Sequence, residues 1–497
     1  MTPISFVIST TLACASFLIP QQVSANPTPD YSSDDEQDAT LRIQLNQDLS
    51  LSDTSQVSLA TQIQLCECSG KTLLNNECYS SMTTAIKKAE SGDIIYIGGL
   101  QAVFNPIFLH ISLSIVGVEC DRERAWVSVS LDEVATSAFH LNSTIDTEPY
   151  QSLSLYNFDM QPTVAGLMSS AVRSDNWDYV RNLHIEDMKF EAFHNEINGS
   201  VLYLGQSGEV TIKNSQFIKN HVTEKRETGG TLYIATVPEH SRLTIGGLWE
   251  KNVAEGVHAE GAAVYLLWVY GVVEFTPDAR FIENEACEAP AAEVRVIYNS
   301  ASVKFNGYYH KNKAVDRGYG ARGGAIRSLM IMSPDVEVSG TFTENESEGK
   351  GGVYAVNRLY KDGGIHISGS FIKNKAKAFG GVVAADWGII GVLTISEEAY
   401  FEDNEAYTDD RNILQFRVCG LCNFLSKYDK ILGQKEWEDN GPKAYTFEGG
   451  FSPSMYDEVY CSLNDDDKTW IQKTYQPKAW DMFIDSEDPE PDQKPEC

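Results

Sequence analysis

Positive charge is scarce in this chain. Lys and Arg contribute 39 of the 497 residues against 70 Asp and Glu, so the formal net charge is −31 and the isoelectric point is about 4.6. Such a surface repels phosphate backbones and anionic headgroups, which excludes nucleic acid as a partner. It also keeps a strand-rich chain soluble. The first 25 residues hold no charged side chain at all: an apolar run from Ile4 to Pro20 leads to Val23-Ser24-Ala25, small residues suited to signal cleavage. Residues 1–25 are therefore expected to be a signal peptide and the protein to be secreted, extracellular or displayed at a cell surface. No later run approaches about 20 apolar residues, so no transmembrane segment is expected after signal cleavage. The acidic stretch Asp485 to Cys497 lacks the apolar tail that a lipid anchor needs.

Amphipathic helices of useful length are also missing, which argues against helical and leucine-rich repeats. Nucleotide-binding loops, His-Glu-x-x-His helices, Gly-x-Ser-x-Gly elbows and glycine-rich calcium nonapeptides are absent as well. No cofactor and no metal are expected.

What the chain does have is one statement made eight times. A short alternating strand (Leu183-x-Ile185, Val210-x-Ile212, Leu243-x-Ile245 and so on) precedes an aromatic at Phe190, Phe217, Trp249, Phe281, Tyr309, Phe342, Phe371 or Phe401. In seven of the eight an Asn follows three residues on: Asn220, Asn252, Asn284, Asn312, Asn345, Asn374 and Asn404. Pairs of small residues then open the next strand, at 229–230, 261–262, 291–292, 323–324, 351–352 and 380–381. The aromatics are 27, 32, 32, 28, 33, 29 and 30 residues apart. A period near thirty with uneven loops marks a solenoid, and two-residue alternation makes its coils strands. The predicted fold is all-β, a right-handed parallel β-helix with coils of about 30 residues. Equivalent positions then sit about 4.8 Å apart, so the aromatics form a ladder around one core. The Asn residues are expected to take left-handed turn conformations and to bond along the axis, and the small pairs to give room where backbone turns beside the core.

The β-helix is expected to span 61–418, with clear repeats over 181–410, after an acidic leader at 26–60 whose Leu41 to Leu51 stretch alternates enough to add a strand. A short helix over Ser80 to Glu90, N-capped by Ser81 or Thr83, would cover the first coil. Residues 419–484, with Trp437, Trp470 and Trp480, are expected to cap the other end, and 485–497 to be a solvated tail. Cysteines cluster at the same two ends. Cys66, Cys68, Cys78 and Cys120 form one group and Cys419, Cys422, Cys461 and Cys497 the other, each with three disulfide connectivities open. A zinc reading of Cys419-x-x-Cys422 lacks two further ligands. Cys287 is left over, as a buried thiol or an intermolecular bridge.

Gly-Gly-Ala-Ile at 323–326 with Phe-Thr-Glu-Asn at 342–345, then Gly351-Gly352-Val353 with Phe371-Ile-Lys-Asn374, resembles the paired short motifs of the chlamydial polymorphic outer-membrane protein repeat. The likeness covers roughly 190–410. The entry segment Met82 to Ile97 is similar, more distantly, to the start of pectin-lyase-like β-helices. The first resemblance implies a right-handed β-helix displayed at a cell surface and acting in adhesion, without the C-terminal export barrel of that family. Asn142, Asn198 and Asn345 head sequons and would be glycosylation acceptors in a eukaryote.

Two functions compete. One is a non-enzymatic adhesin or surface-structure protein that contacts a host or neighbouring cell-surface protein or glycan through loops such as Glu224 to Thr228, Asp316 to Arg322 and Arg358 to Asp362, with Tyr319 and Tyr360 nearby. The alternative is a polysaccharide-active lyase or hydrolase, which would need carboxylates and a basic residue converging in a groove. Asp409-Asp410-Arg411 and Asp175-x-x-Asp178-x-x-Arg181 are the constellations that qualify by composition. No catalytic residue is assigned from them.

Overall fold

The computed structural model describes residues 57–417 except 132–135, 142–150, 165, 175–178, 224–228, 319, 361, 379, 386–390 and 407–411, together with strands at 429–433 and 445–448. The expected signal peptide, most of the acidic leader and the 485–497 tail lie outside the described residues. So do Cys419, Cys422, Cys461, Cys497, Asn142 and most of the 419–484 cap.

The chain winds as an all-β parallel solenoid. Strands stack coil on coil into sheets of 25, 11 and 8 strands. In the four repeats from Arg242 to Leu359 a four-residue strand such as Val272–Phe275 leads to a three-residue strand such as Arg280–Ile282, then to a two-residue strand (Glu285–Ala286) and to a six-residue strand (Ala292–Ile297). Side chains alternate across each strand, so the central residue of every three-residue strand points inward. Its register runs Phe190↔Phe217↔Trp249↔Phe281↔Tyr309↔Phe342↔Phe371↔Phe401. Neighbouring rings stack at centroid distances of 3.9–5.9 Å and lie within 18° of parallel. Below Phe190 the column continues as Met160 and Val127 and ends on Gln101, so it outruns the aromatic signature.

The Asn column bonds along the axis. Each Asn Oδ1 from Asn252 to Asn404 accepts from both the backbone N–H and the side-chain amide of the Asn one coil earlier, at 2.9–3.1 Å. The left-handed conformation falls elsewhere: Lys219, Lys251, Glu283, Lys311, Glu344, Lys373 and Asp403, each immediately before an Asn, have φ of 50–55°. The expectation that Asn itself takes that backbone is thus corrected. The turn needs one left-handed residue, and the Asn side chain is committed inward to the next coil. In the first coil of the series Phe193 holds the equivalent place, and its N–H closes the ladder on Asn220 Oδ1.

The small pairs mark close backbone approach. A Cβ on Gly324 would lie 2.1 Å from the Gly352 carbonyl oxygen, and one on Gly352 would lie 2.1 Å from that of Gly381. No side chain fits there.

Both ends of the described stack carry covers. Helix α1 (Leu59–Glu67) begins inside the stretch read as leader, because Ser58 Oγ caps Thr61 N–H at 3.1 Å and Leu65 is buried. Strands β1 (Thr72–Leu74) and β2 (Glu77–Tyr79) form a hairpin. Helix α2 is shorter than expected, Met82–Ile86. Ser81 is its N-cap, and Asp93 Oδ2 takes the Glu90 N–H in the turn that follows. The solenoid then opens with β3 (Asp93–Ile97), β4 (Leu100–Val103) and β5 (Ile107–Leu109). Two disulfides tie this end, Cys66–Cys120 and Cys68–Cys78. At the far end the strands 429–433 and 445–448 pair antiparallel with 412–417 and 392–395, which turns the parallel stack closed.

Candidate functional site

Among the described residues, charged side chains converge at a place that the sequence did not single out. Asp175 and Asp178, like Asp409, Asp410 and Arg411, lie outside the described residues. The convergence falls instead on the outer side of the 25-stranded sheet, in the second position of the six-residue strands. That column reads Tyr203↔Tyr233↔Tyr265↔Glu293↔Arg327↔Ala355. It faces away from the main core, yet Tyr265 and Glu293 are fully buried and Arg327 is 3 % exposed. The turns that carry the small pairs lie over it: a Cβ on Gly261 would stand 3.1 Å from Glu293 Cβ and 3.2 Å from Tyr265 Cβ. A second column in those turns, Glu260↔Glu288↔Arg322↔Lys350, runs beside the first.

Two adjacent columns therefore change from acidic to basic at the same coil boundary, Glu293 to Arg327 in one and Glu288 to Arg322 in the other. Arg327 Nη1 lies 2.9 Å from Glu260 Oε1, 2.6 Å from Glu288 Oε2 and 3.0 Å from Glu293 Oε1. Arg322 Nη1 donates to Glu288 Oε1 at 2.9 Å, and Arg295 Nη1 donates to the Tyr265 hydroxyl at 2.9 Å while sitting 3.6 Å from Glu260 Oε2. Three carboxyl groups thus share three guanidiniums.

Removal from water dominates the acid–base behaviour. Burial, outweighing the attraction of Arg327, pushes the Glu293 carboxyl up to about 8, so it holds a proton near neutrality. Burial also raises Glu260, and burial with the Glu260 carboxylate beside it holds the Tyr265 hydroxyl well above its usual range. Removal from water would lower both guanidiniums, that of Arg327, which is buried, and that of Arg295, which is partly exposed. The carboxylates around them, Glu293 first for Arg327 and Glu260 first for Arg295, more than offset this and keep both charged.

A signal for this cluster did exist in the sequence. Glu293 and Arg327 stand at the same strand position 34 residues apart, and Glu260 and Arg322 each precede a small pair. Reading it required knowing that an outward position is covered.

Elsewhere Cys287 is a free thiol, buried, and burial raises its pKa. Among the loop candidates, the Asp316–Arg322 excursion is pinned: Arg317 Nη1 donates to the Ala254 carbonyl at 2.8 Å and Nη2 to Glu285 Oε1 at 3.0 Å. Asp316 Oδ1 also accepts from the N–H groups of Gly318 and Gly320. Tyr360 donates to Met330 Sδ at 3.4 Å. The 224–228 loop and Tyr319 lie outside the described residues. Of the sequons, Asn345 is fully buried, with its amide donating to Tyr309 O and Asn374 Oδ1, whereas Asn198 is half-buried in a turn. Expression in a glycosylating host is expected to add sugar at Asn198 and none at Asn345. Site-resolved mass spectrometry checks this, and a glycan on Asn345 would contradict the ladder.

Comparison of the chain with protein-family models, with curated proteins and with solved structures returns no match to any of the three.

Proposed function

We propose that this chain is a secreted or cell-surface scaffold without catalytic activity, whose stacked coils hold loops for adhesion to a protein or glycan of a host or neighbouring cell. The observation that carries this reading is the Asp316–Arg322 loop, anchored by Arg317 to the backbone of one coil and the carboxylate of another. A loop ordered before it meets a partner loses less entropy on binding. The resemblance of the Gly-Gly-Ala-Ile and aromatic-x-x-Asn motifs to the chlamydial surface repeat supports the same reading, and with it a right-handed winding of the coils. Glycan and protein arrays should report binding that Arg317→Ala weakens by about tenfold through loss of that preordering. Binding indifferent to the Arg317 anchor would remove the loop from the argument.

One observation favours the polysaccharide-active alternative. A carboxyl that keeps its proton near neutrality, as Glu293 does, is what a general acid needs. Its full burial among guanidiniums supports the structural role more strongly, since a general acid must reach the bond it protonates. Cleavage of acidic or neutral polysaccharides that disappears in Glu293→Gln would reverse the order of the two readings.

A further inference from the structure

The residue that follows each long strand of the 25-stranded sheet opens a turn and stands outside the main core. From coil to coil this column holds Pro238, Tyr270, Tyr298, Met332 and Tyr360. Its register is fixed by backbone bonds to the strand end one coil earlier: Tyr270 N–H donates to Val237 O, Tyr298 to Val269 O, Met332 to Ile297 O and Tyr360 to Ile331 O, at 2.8–3.0 Å. Tyr270 and Tyr298 are therefore neighbours across one coil boundary. Their rings stack at a centroid distance of 4.0 Å, 10° from parallel, and their hydroxyls hydrogen-bond to each other. Two further tyrosine pairs stack among the described residues, Tyr203 with Tyr233 at 4.9 Å and Tyr233 with Tyr265 at 5.4 Å, but those three rings are buried. Tyr270 and Tyr298 are half-buried, so the closest of the three pairs is also the one that solvent reaches. The turns hold the pair in place. Ser300 Oγ donates to the Tyr270 carbonyl at 3.0 Å, and a Cβ on Gly271 would lie 2.4 Å from the Ser241 carbonyl oxygen, so the chain beside Tyr270 is packed on the coil before.

We propose that Tyr270 and Tyr298 form a modification site, at which hydrogen peroxide, used by a haem peroxidase as oxidant, joins the two rings into a dityrosine staple between adjacent coils. Each phenol gives up one electron and one proton, and the two radicals form a carbon–carbon bond ortho to their oxygens. The hydrogen displaced from each ortho carbon moves to the oxygen of its own ring, which restores both phenols. The peroxide takes up the two electrons and two protons and leaves as two waters. Parallel rings with adjoining hydroxyls set the ortho carbons of one beside those of the other, and groups held as neighbours react faster than groups that must meet by diffusion. Partial burial and the hydrogen bond to Tyr298 push the Tyr270 hydroxyl up to about 12, so near neutrality it still carries the proton that leaves with the electron. The column also confines the reaction to one pair, since Pro238 precedes Tyr270 and Met332 separates Tyr298 from Tyr360. The two tyrosines are 28 residues apart, and the stretch between them carries Phe281, Asn284 and Glu293. A covalent link there restricts the unfolded chain over that loop, as a disulfide does.

Treatment of the full chain with hydrogen peroxide and a haem peroxidase tests this, read by dityrosine emission and by mass spectrometry of linked peptides. The link between positions 270 and 298 should form first, within one chain, and in equal yield at ~1 and ~50 µM protein because the partners are held together. Tyr298→Phe keeps a ring for the stack but no phenol, and should lower the early emission by about tenfold. In the linked protein, hydrogen exchange in peptides of the Phe281 coil should slow by about tenfold, with the coil of Phe139 unchanged. Links that join exposed tyrosines such as Tyr400 of two chains in preference to this pair overturn the proposal. Oxidation that stops at Met332 with both tyrosines intact overturns it as well. A 270–298 link that leaves exchange in the Phe281 coil as it was overturns the role as a staple.

Discussion

Arg327→Ala is expected to lower the unfolding free energy by about 3–5 kcal/mol, the usual cost of stripping the partner from a buried ion cluster. The guanidinium lies within 3.0 Å of carboxylate oxygens on Glu260, Glu288 and Glu293, none of which has much access to water. Without it those groups must take up protons or stay charged in a dry site. A double variant separates the two effects. With Arg327→Met and Glu293→Leu together, Glu288 keeps Arg322 at 2.9 Å and Glu260 keeps Arg295 at 3.6 Å, so more than half of the loss should return. Denaturant midpoints at constant m-value measure both. A single-variant cost below about 1 kcal/mol would show that the cluster is hydrated and behaves like a surface pair.

The same cluster sets a pH dependence whose sign follows from Glu293. Its folded pKa, about 8, lies above its ordinary value of 4.5. Between those two limits the folded chain holds a proton that the unfolded chain has released. The contribution is complete below about 4.5 and is lost as pH rises through 8, with a slope of at most about 1.4 kcal/mol per pH unit for one proton. Glu260 shifts in the same direction. Glu293→Gln should flatten this fall, and the deficit of Arg327→Ala should be larger at pH 8 than at pH 5, because the remaining carboxyls can accept protons at the lower value.

Asn284→Ala is expected to cost a similar amount, about 3–5 kcal/mol, by a different route. Asn284 Oδ1 accepts from Asn252 N and Asn252 Nδ2, and its own amide donates to Trp249 O at 2.9 Å and to Asn312 Oδ1 at 2.9 Å. Truncation leaves groups in two neighbouring coils short of partners in a fully buried site. Asn284→Asp keeps the acceptor but not the donor and adds a buried charge, so its deficit should shrink as pH falls. A uniform loss at all pH values would point to packing and not to the hydrogen bonds. Because each coil touches only its neighbours, the damage should appear first as faster hydrogen exchange in the coils of Trp249 and Tyr309.

Much of the stack was legible because a solenoid writes its geometry as recurrence. Residues one coil apart in space are one period apart in sequence, so the alternating strands, the aromatic at the centre of each three-residue strand and the inward Asn recur visibly along the chain. The coils before Phe190 were harder to read, since Met160 and Val127 fill the ladder position without any aromatic to mark it. The left-handed backbone falls one position before the Asn that propensity favours for it. Lys, Glu and Asp carry no sign of that backbone, whereas Asn does, and the side-chain demand of the axis overrode the propensity.

The amino-acid order by itself determined that the chain forms coils of about thirty residues, all strand, around one apolar axis, because periodicity is a property of order alone. Only the tertiary structure decided which outward positions are covered. Glu293 and Arg327 occupy places that alternation assigns to solvent, and they become a buried cluster because turns from adjoining coils close over them. Which cysteines join was likewise decided by distance: Cys66 with Cys120 and Cys68 with Cys78, where spacing along the chain left three pairings open. Recurrence records what repeats from coil to coil, and the contacts that make this chain particular are those that occur once.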